Sequence, residues 1–207
     1  MTDVIVVLTS GAEFSQAEKY LGCVSALRRN RIAKKRSDED KLLSLAAGLL
    51  LSLELSRRTG IPREKLRYEH GSFGKPYLVG SSLQFSLSHT RGAVCAAFSD
   101  NGEVGADIES ASRRVGEGLY ARVLAENERP LVHSGEDFIR LWVQKEAFLK
   151  RLGTGIASDL RGADTTLMRD TAVYSVGDFL VGISGKGSES AAIHTLELTE
   201  LLEQFKV

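Results

Sequence analysis

Cysteine is nearly missing: Cys23 and Cys95 are the two in 207 residues, and no CxxC pair exists. That excludes a disulfide framework and a thiolate metal or redox site, and it points to a reducing cytoplasm. The four histidines, His70, His89, His133 and His194, are scattered without ligand spacing, which disfavours zinc. Long apolar runs are missing too. Residues 4–8 are too short for a signal segment and lack a basic stretch before them. The apolar stretch over 42–55 is interrupted by Ser44, Gly48, Ser52 and Glu54, so no membrane span is expected. Nor does one sign of charge dominate: acidic and basic residues number 27 each, so no global field favours nucleic acid. Low-complexity segments and residue-level repeats are absent.

What is present is an ordinary globular composition, 43% apolar and 26% charged, enough for one sizeable core or two small lobes. Patterning predicts a strand at 4–8 and a helix over 15–27. A long helix opens at Ser37-Asp38-Glu39-Asp40 and runs to about residue 58, where Gly60 and Pro62 stop it. Strands follow at 66–69, 83–87, 94–98 and 104–108, then helices at 119–128 and 136–152, then strands at 172–176, 179–183 and 191–198. The recurrence implies an α/β (α+β) fold of two lobes, 1–102 and 103–207. The run GISGKGS over 182–188 fits neither a P-loop nor a nucleophile elbow and is expected to be a hairpin turn.

Six of the nine residues over 28–36 are basic, which suits either a solvated face or an anion site. In Gly105-Ala106-Asp107-Ile108-Glu109, strand alternation turns Asp107 and Glu109 to one face, about 7 Å apart. Such a pair is either separated by solvent or gathered by a hard cation such as Mg²⁺. In the helix over 136–152, Phe138, Leu141, Trp142, Lys145, Leu149 and Leu152 form one stripe, with Glu146 and Lys150 along its flank. Lys145 therefore points inward and needs a carboxylate or a route to the surface. Glu146 and Lys150 are either an ordinary i,i+4 surface pair or part of a site. Phe85-Ser86-Leu87-Ser88-His89-Thr90 ends a strand with hydroxyls and an imidazole. No elbow surrounds either serine, so phosphate contact is the more economical role.

In combination and order, Phe73-Gly74-Lys75-Pro76-Tyr77-Leu78, Phe85-Ser86-Leu87-Ser88-His89-Thr90, Gly105-Ala106-Asp107-Ile108-Glu109 and Trp142-x-x-Lys145-Glu146-Ala147-x-x-Lys150 resemble the 4′-phosphopantetheinyl transferases. More narrowly, they resemble the longer, pseudo-dimeric type that activates surfactin synthetase, over about residues 28–156. The resemblance implies two similar α/β lobes in a monomer, with coenzyme A as co-substrate in the cleft between them. It implies Mg²⁺, with Mn²⁺ as an alternative, on Asp107, Glu109 and Glu146. Lys150 falls at the diphosphate, Ser88 and His89 at a phosphate, Gly74, Lys75 and Pro76 beside adenine, and Arg28, Arg31 and Ser44 at the 3′-phosphate.

The activity so implied is transfer of 4′-phosphopantetheine to a serine of an apo acyl or peptidyl carrier protein, with Asp107, Glu146 and Lys150 as the catalytic set. Glu128 matches an acidic position of the family. Val123 and Leu124 stand where paired phenylalanines are usual, Thr154 where a lysine is, and Leu43 where an arginine is. A Mg²⁺-dependent nucleotide-diphosphate hydrolase and a non-catalytic coenzyme A or carrier-binding module are the competing readings.

Overall fold

The computed structural model describes residues 2–154 and 160–205; the C-terminal limit of the resemblance, Ile156, lies outside them. In chain order the elements are β1 (Thr2–Leu8), α1 (Phe14–Ala17), α2 (Ala26–Ala33), α3 (Asp38–Thr59), β2 (Tyr68–His70), β3 (Pro76–Leu78), β4 (Gln84–Thr90) and β5 (Ala93–Ser99). They continue with β6 (Gly105–Ser110), α4 (Glu117–Val123), α5 (Gly135–Leu152), β7 (Thr171–Val176), β8 (Phe179–Ser184), β9 (Ala192–Glu197) and α6 (Leu198–Leu202).

Two sheets pack face to face between two long helices. The first has the order β4-β5-β1-β9 and the second β6-β8-β7, while β2 and β3 form a separate small hairpin. The period of two divides each strand between layers. Val4, Val6, Ala93, Cys95 and Ala97 meet Ala106, Ile108, Val181 and Ile183 of the second sheet. Ile5, Val7, Val94, Ala96 and Phe98 turn the other way, onto α3. Because both faces of β5 are covered, all its residues are buried, and it reads as a continuous apolar run rather than an alternation.

The long helix α3 follows its sequence signals closely. The Ser37 hydroxyl accepts from the Asp40 amide at 3.0 Å, three acids occupy the first turn, and Arg57 and Arg58 the last. Gly60 closes it in the left-handed region. Its middle is buried almost all round, held by the sheet on one side and by α1 and α2 on the other.

Several expectations need correction. The helix predicted over 15–27 is broken into α1, a 3-10 turn at Glu18–Cys23 and α2, which restarts at Ser25, whose hydroxyl accepts from the Arg28 amide. The one predicted over 119–128 stops at Val123, and a 3-10 turn containing Pro130 follows. The segment over 182–188 is not a hairpin turn. Its flanking strands belong to different sheets, because β9 pairs parallel with β1 and a parallel partner requires a crossover. That crossover also returns residues 192–205 to the first lobe, where Leu198, Leu201 and Phe205 are buried in its core. Strands β6, β7 and β8 make the second sheet, while β9 and α6 pack with the first.

Candidate active site

Helix α5 meets the second sheet backbone to backbone at two glycines. A Cβ on Gly105 would stand 1.9 Å from the Ala147 carbonyl oxygen, and one on Gly182 2.2 Å from that of Val143. Only glycine fits at either place; Val143 and Ala147, outside the expected stripe, are buried, as are Phe138, Lys145 and Leu149 within it. Leu152, assigned to the inward stripe, is 47% exposed. Glu146 and Lys150 are carried with the helix to the rim of β6. There Asp107 and Glu109, alternating with core-facing Ala106 and Ile108, are both buried.

Hydroxyls of β4 bind β6 across the seam between lobes. Ser86 Oγ accepts from the Ala106 amide at 2.9 Å, Ser88 Oγ donates to Asp107 Oδ1 at 2.7 Å, and Thr90 Oγ1 donates to Glu109 Oε1 at 2.5 Å. The sequence reading ends this strand at residue 87, whereas it runs on to Thr90 and so puts Ser86, Ser88 and Thr90 on one face. Their role as an inter-lobe fastening is not visible in the sequence. Lys150 Nζ completes the group, lying 2.6 Å from Asp107 Oδ1 and 2.8 Å from Ser88 Oγ. Glu146 is buried beside it. Desolvation first, then the negative charge of Asp107, holds its carboxyl above the ordinary range, and Lys150 opposes both.

Glu109 is engaged differently from its two companions. Besides Thr90, it accepts from the Ser110 amide at 2.9 Å and pairs with Arg113, whose guanidinium lies 5.7 Å from the Trp142 ring centre. Among the described residues, no three His, Cys, Asp or Glu side chains stand close enough together to form a metal cage. The expected trio is therefore not a closed shell. Its chemistry suits a hard cation all the same. The donors are carboxylate oxygens, Glu146 is a buried carboxyl whose charge is opposed by Asp107, and Mg²⁺ characteristically takes one or two carboxylates and leaves the remainder to water and phosphate.

Lys150 also lines a cleft of about 960 Å³ that reaches from α2 to the β2–β3 hairpin. Arg28, Arg31, Gly74, Lys75 and Pro76 share its wall. Gly48 on α3 lets α2 come close, since a Cβ there would meet Val24 and Arg28 side-chain atoms at 3.0 and 3.1 Å. Burial first, then Arg31, pushes the Arg28 pKa down, and burial raises that of neighbouring Tyr68 to about 12. His89 is pushed down by desolvation and then by Lys35, Lys150 and Arg28, so several cations converge on this end of β4.

Three expected coenzyme contacts stand off the cleft wall. Ser44 is buried on α3 one turn before Gly48, Ser88 meets the cleft-lining Lys150 by a hydrogen bond, and His89 feels the charge of Lys150. Tyr68 and Arg63, which do line it, went unnoticed in the sequence because neither sits in a motif. Cys95 is fully buried with its thiol pKa raised to about 12, which removes it as a nucleophile.

Lys145 meets the carboxylate that its inward direction demanded. Its Nζ lies 2.5 Å from Glu128 Oε2 with both side chains fully buried, and it donates to the carbonyls of Val123 at 2.6 Å and Leu160 at 2.9 Å. Glu128 in turn accepts from the Ala125 and Thr165 amides and the Thr165 hydroxyl, at 2.7, 2.8 and 2.7 Å. The pair is saturated and touches nothing in the cleft.

Residues 103–195, which hold this rim, match the 4′-phosphopantetheinyl transferase superfamily. The chain is 32% identical over 144 residues to the L-aminoadipate-semialdehyde dehydrogenase-phosphopantetheinyl transferase of Saccharomyces cerevisiae, covering 63% of this chain and 53% of that protein. With the 4′-phosphopantetheinyl transferase Sfp of Bacillus subtilis it shares 26% over 165 residues, 75% of this chain and 72% of the other. With the 4′-phosphopantetheinyl transferase AcpT of Salmonella typhi it shares 36% over 135 residues, 59% and 64%. The chain thus spans about half the length of the yeast relative that it matches.

Proposed function

We propose that the chain, which matches the 4′-phosphopantetheinyl transferase superfamily over residues 103–195, is such a transferase and moves the 4′-phosphopantetheine arm of coenzyme A onto a serine hydroxyl of an apo acyl or peptidyl carrier protein. Adenosine 3′,5′-bisphosphate is the other product. The observation that carries this reading is the continuity of a cationic cleft with a carboxylate rim through one side chain, Lys150.

Arg28 and Arg31 bind the 3′-phosphate, and the turn at Gly74, Lys75 and Pro76 adjoins the adenine. Ser88 and His89 contact phosphate oxygens at the rim. Lys150 leaves its carboxylate partner to offset charge that accumulates on the diphosphate as the phosphorus–oxygen bond breaks. Glu146 accepts the serine proton, a role served by its raised pKa. Asp107 and Glu146 hold Mg²⁺ or Mn²⁺, with Glu109 as a third donor if it exchanges Arg113 for the metal. That ion supplies neutralisation of diphosphate charge when bound. The remainder of the catalysis is positioning.

No helix among the described residues is long and apolar enough to cross a membrane. A monomer of two related lobes working in the cytoplasm belongs to the same reading. Intact-mass spectrometry of a panel of apo carrier proteins, incubated with the protein, coenzyme A and Mg²⁺, tests the reading. A gain of one phosphopantetheine on at least one carrier is expected. Hydrolysis of coenzyme A without a carrier would instead favour a diphosphate hydrolase.

A further inference from the structure

We propose that Lys75 is a positioning residue: its ammonium caps the C-terminal end of α5 from the opposite lobe, and so couples the cleft wall to the placement of Lys150, given the transferase reading above. An α-helix leaves its last carbonyls without intrahelical partners and carries partial negative charge there. In α5 the Arg151 carbonyl is one of these, and it accepts from Lys75 Nζ at 2.8 Å.

The fit extends along the side chain. Gly153 ends the helix in the left-handed region, and a Cβ on it would stand 3.5 and 3.6 Å from Lys75 Cδ and Cβ, so the lysine stem lies over this glycine. The backbone around Lys75 is fixed as well. The Gly74 amide donates to the Gly71 carbonyl at 2.8 Å, and the Gly71 amide to that of Lys75 at 2.9 Å.

Lys75 therefore does two jobs with different parts of one residue. Its turn walls the cleft, while its ammonium holds the helix end one residue beyond Lys150. The ammonium is committed to the Arg151 carbonyl and partly desolvated, which lowers its pKa, while the charge of Glu103 favours its ionised form and that of Arg151 opposes it. The gap between the Gly74 turn and Lys150 is in this way set by one hydrogen bond across the lobe seam. A shift of about 1 Å in a reacting group is enough to cost on the order of a hundredfold in rate.

The test compares Lys75→Met, which keeps the stem and removes the donor, with Lys75→Arg, which keeps a donor. Calorimetry with coenzyme A, separate kcat and KM values for transfer, and amide hydrogen exchange over the last turn of α5 are read for each. Lys75→Met is expected to lower kcat by about tenfold or more, to change KM and coenzyme affinity far less, and to speed exchange at 149–153. Lys75→Arg should restore most of both. Weakened coenzyme A binding with kcat and exchange unchanged would make Lys75 a plain ligand contact and overturn the proposal; so would unaltered kcat. If no carrier is modified at all, the transferase reading fails, and the exchange data still decide whether the cap exists.

Discussion

Helix α5 carries two lysine–carboxylate pairs five residues apart, and they differ in nearly every physical respect. Lys145 and Glu128 are wholly buried, every lone pair around them is used, and the pair joins α5 to two loops that have no contact with the cleft. Lys150 is 30% exposed and Asp107 10%, and Lys150 also lines the large cleft. The first pair fastens. The second is poised to exchange partners, since a partly solvated lysine can leave a carboxylate at modest cost. Sequence spacing alone separates these roles, because a helix turns 100° per residue and one ammonium faces the core while the other faces the rim.

The strongest test of this contrast is Lys145→Ala. It strands a buried Glu128 and should destabilise the fold by about 3–5 kcal/mol, read from denaturant unfolding. Lys145→Met together with Glu128→Gln should recover part of that loss. Next in size is Lys150→Ala, which should leave the melting temperature nearly unchanged while transfer falls by about 10²–10³-fold. If instead it unfolds the protein and keeps the rate per folded molecule, the two pairs do not differ in kind. EDTA should abolish transfer in the wild type and Mg²⁺ restore it, and Asp107→Ala should make that loss permanent.

A smaller effect is expected where Arg28 and Arg31 line the cleft. Replacing both with alanine should weaken coenzyme A by about tenfold for each arginine, but weaken 3′-dephospho-coenzyme A much less. The difference should shrink as salt rises. Equal weakening of the two ligands would return this run to a solvated face.

The smallest effect concerns protons. The folded-state pKa of Glu146 is raised above its ordinary 4.5, so the native protein binds that proton more tightly than the unfolded chain does. Stability of the metal-free protein should therefore fall as pH rises from about 4.5 through the folded value, and Glu146→Gln should flatten that segment. Urea titrations across this range check it.

Much of the molecule was legible because local chemistry agreed with the fold. The capping serine, first-turn acids and terminal glycine of α3 are signals within a few residues, and the inward lysine of α5 follows from helical periodicity. The losses have a common cause. Whether residues 182–188 turn back or cross over depends on β9 finding β1, some 190 positions away in sequence, and nothing local encodes that. The rim was anticipated as a set of residue types, whereas the tie between Glu109 and Arg113 and the cap supplied by Lys75 are contacts decided by packing. Family resemblance, not residue chemistry, assigned the coenzyme contacts. Of these, Ser44 stands behind the cleft wall rather than on it.

Gly105 and Gly182 bear on anyone who wishes to make this protein more robust. Glycine in a strand interior ordinarily weakens it, and replacement by alanine is a routine stabilising change. Here the two absent methyl groups act as a spacer of zero thickness between sheet and helix. Adding either one must lift α5 off β6 and β8, and the helix would carry Glu146 and Lys150 away from Asp107 as it rose. The distance from Asp107 to Glu146 and Lys150 is set by what these two positions leave out.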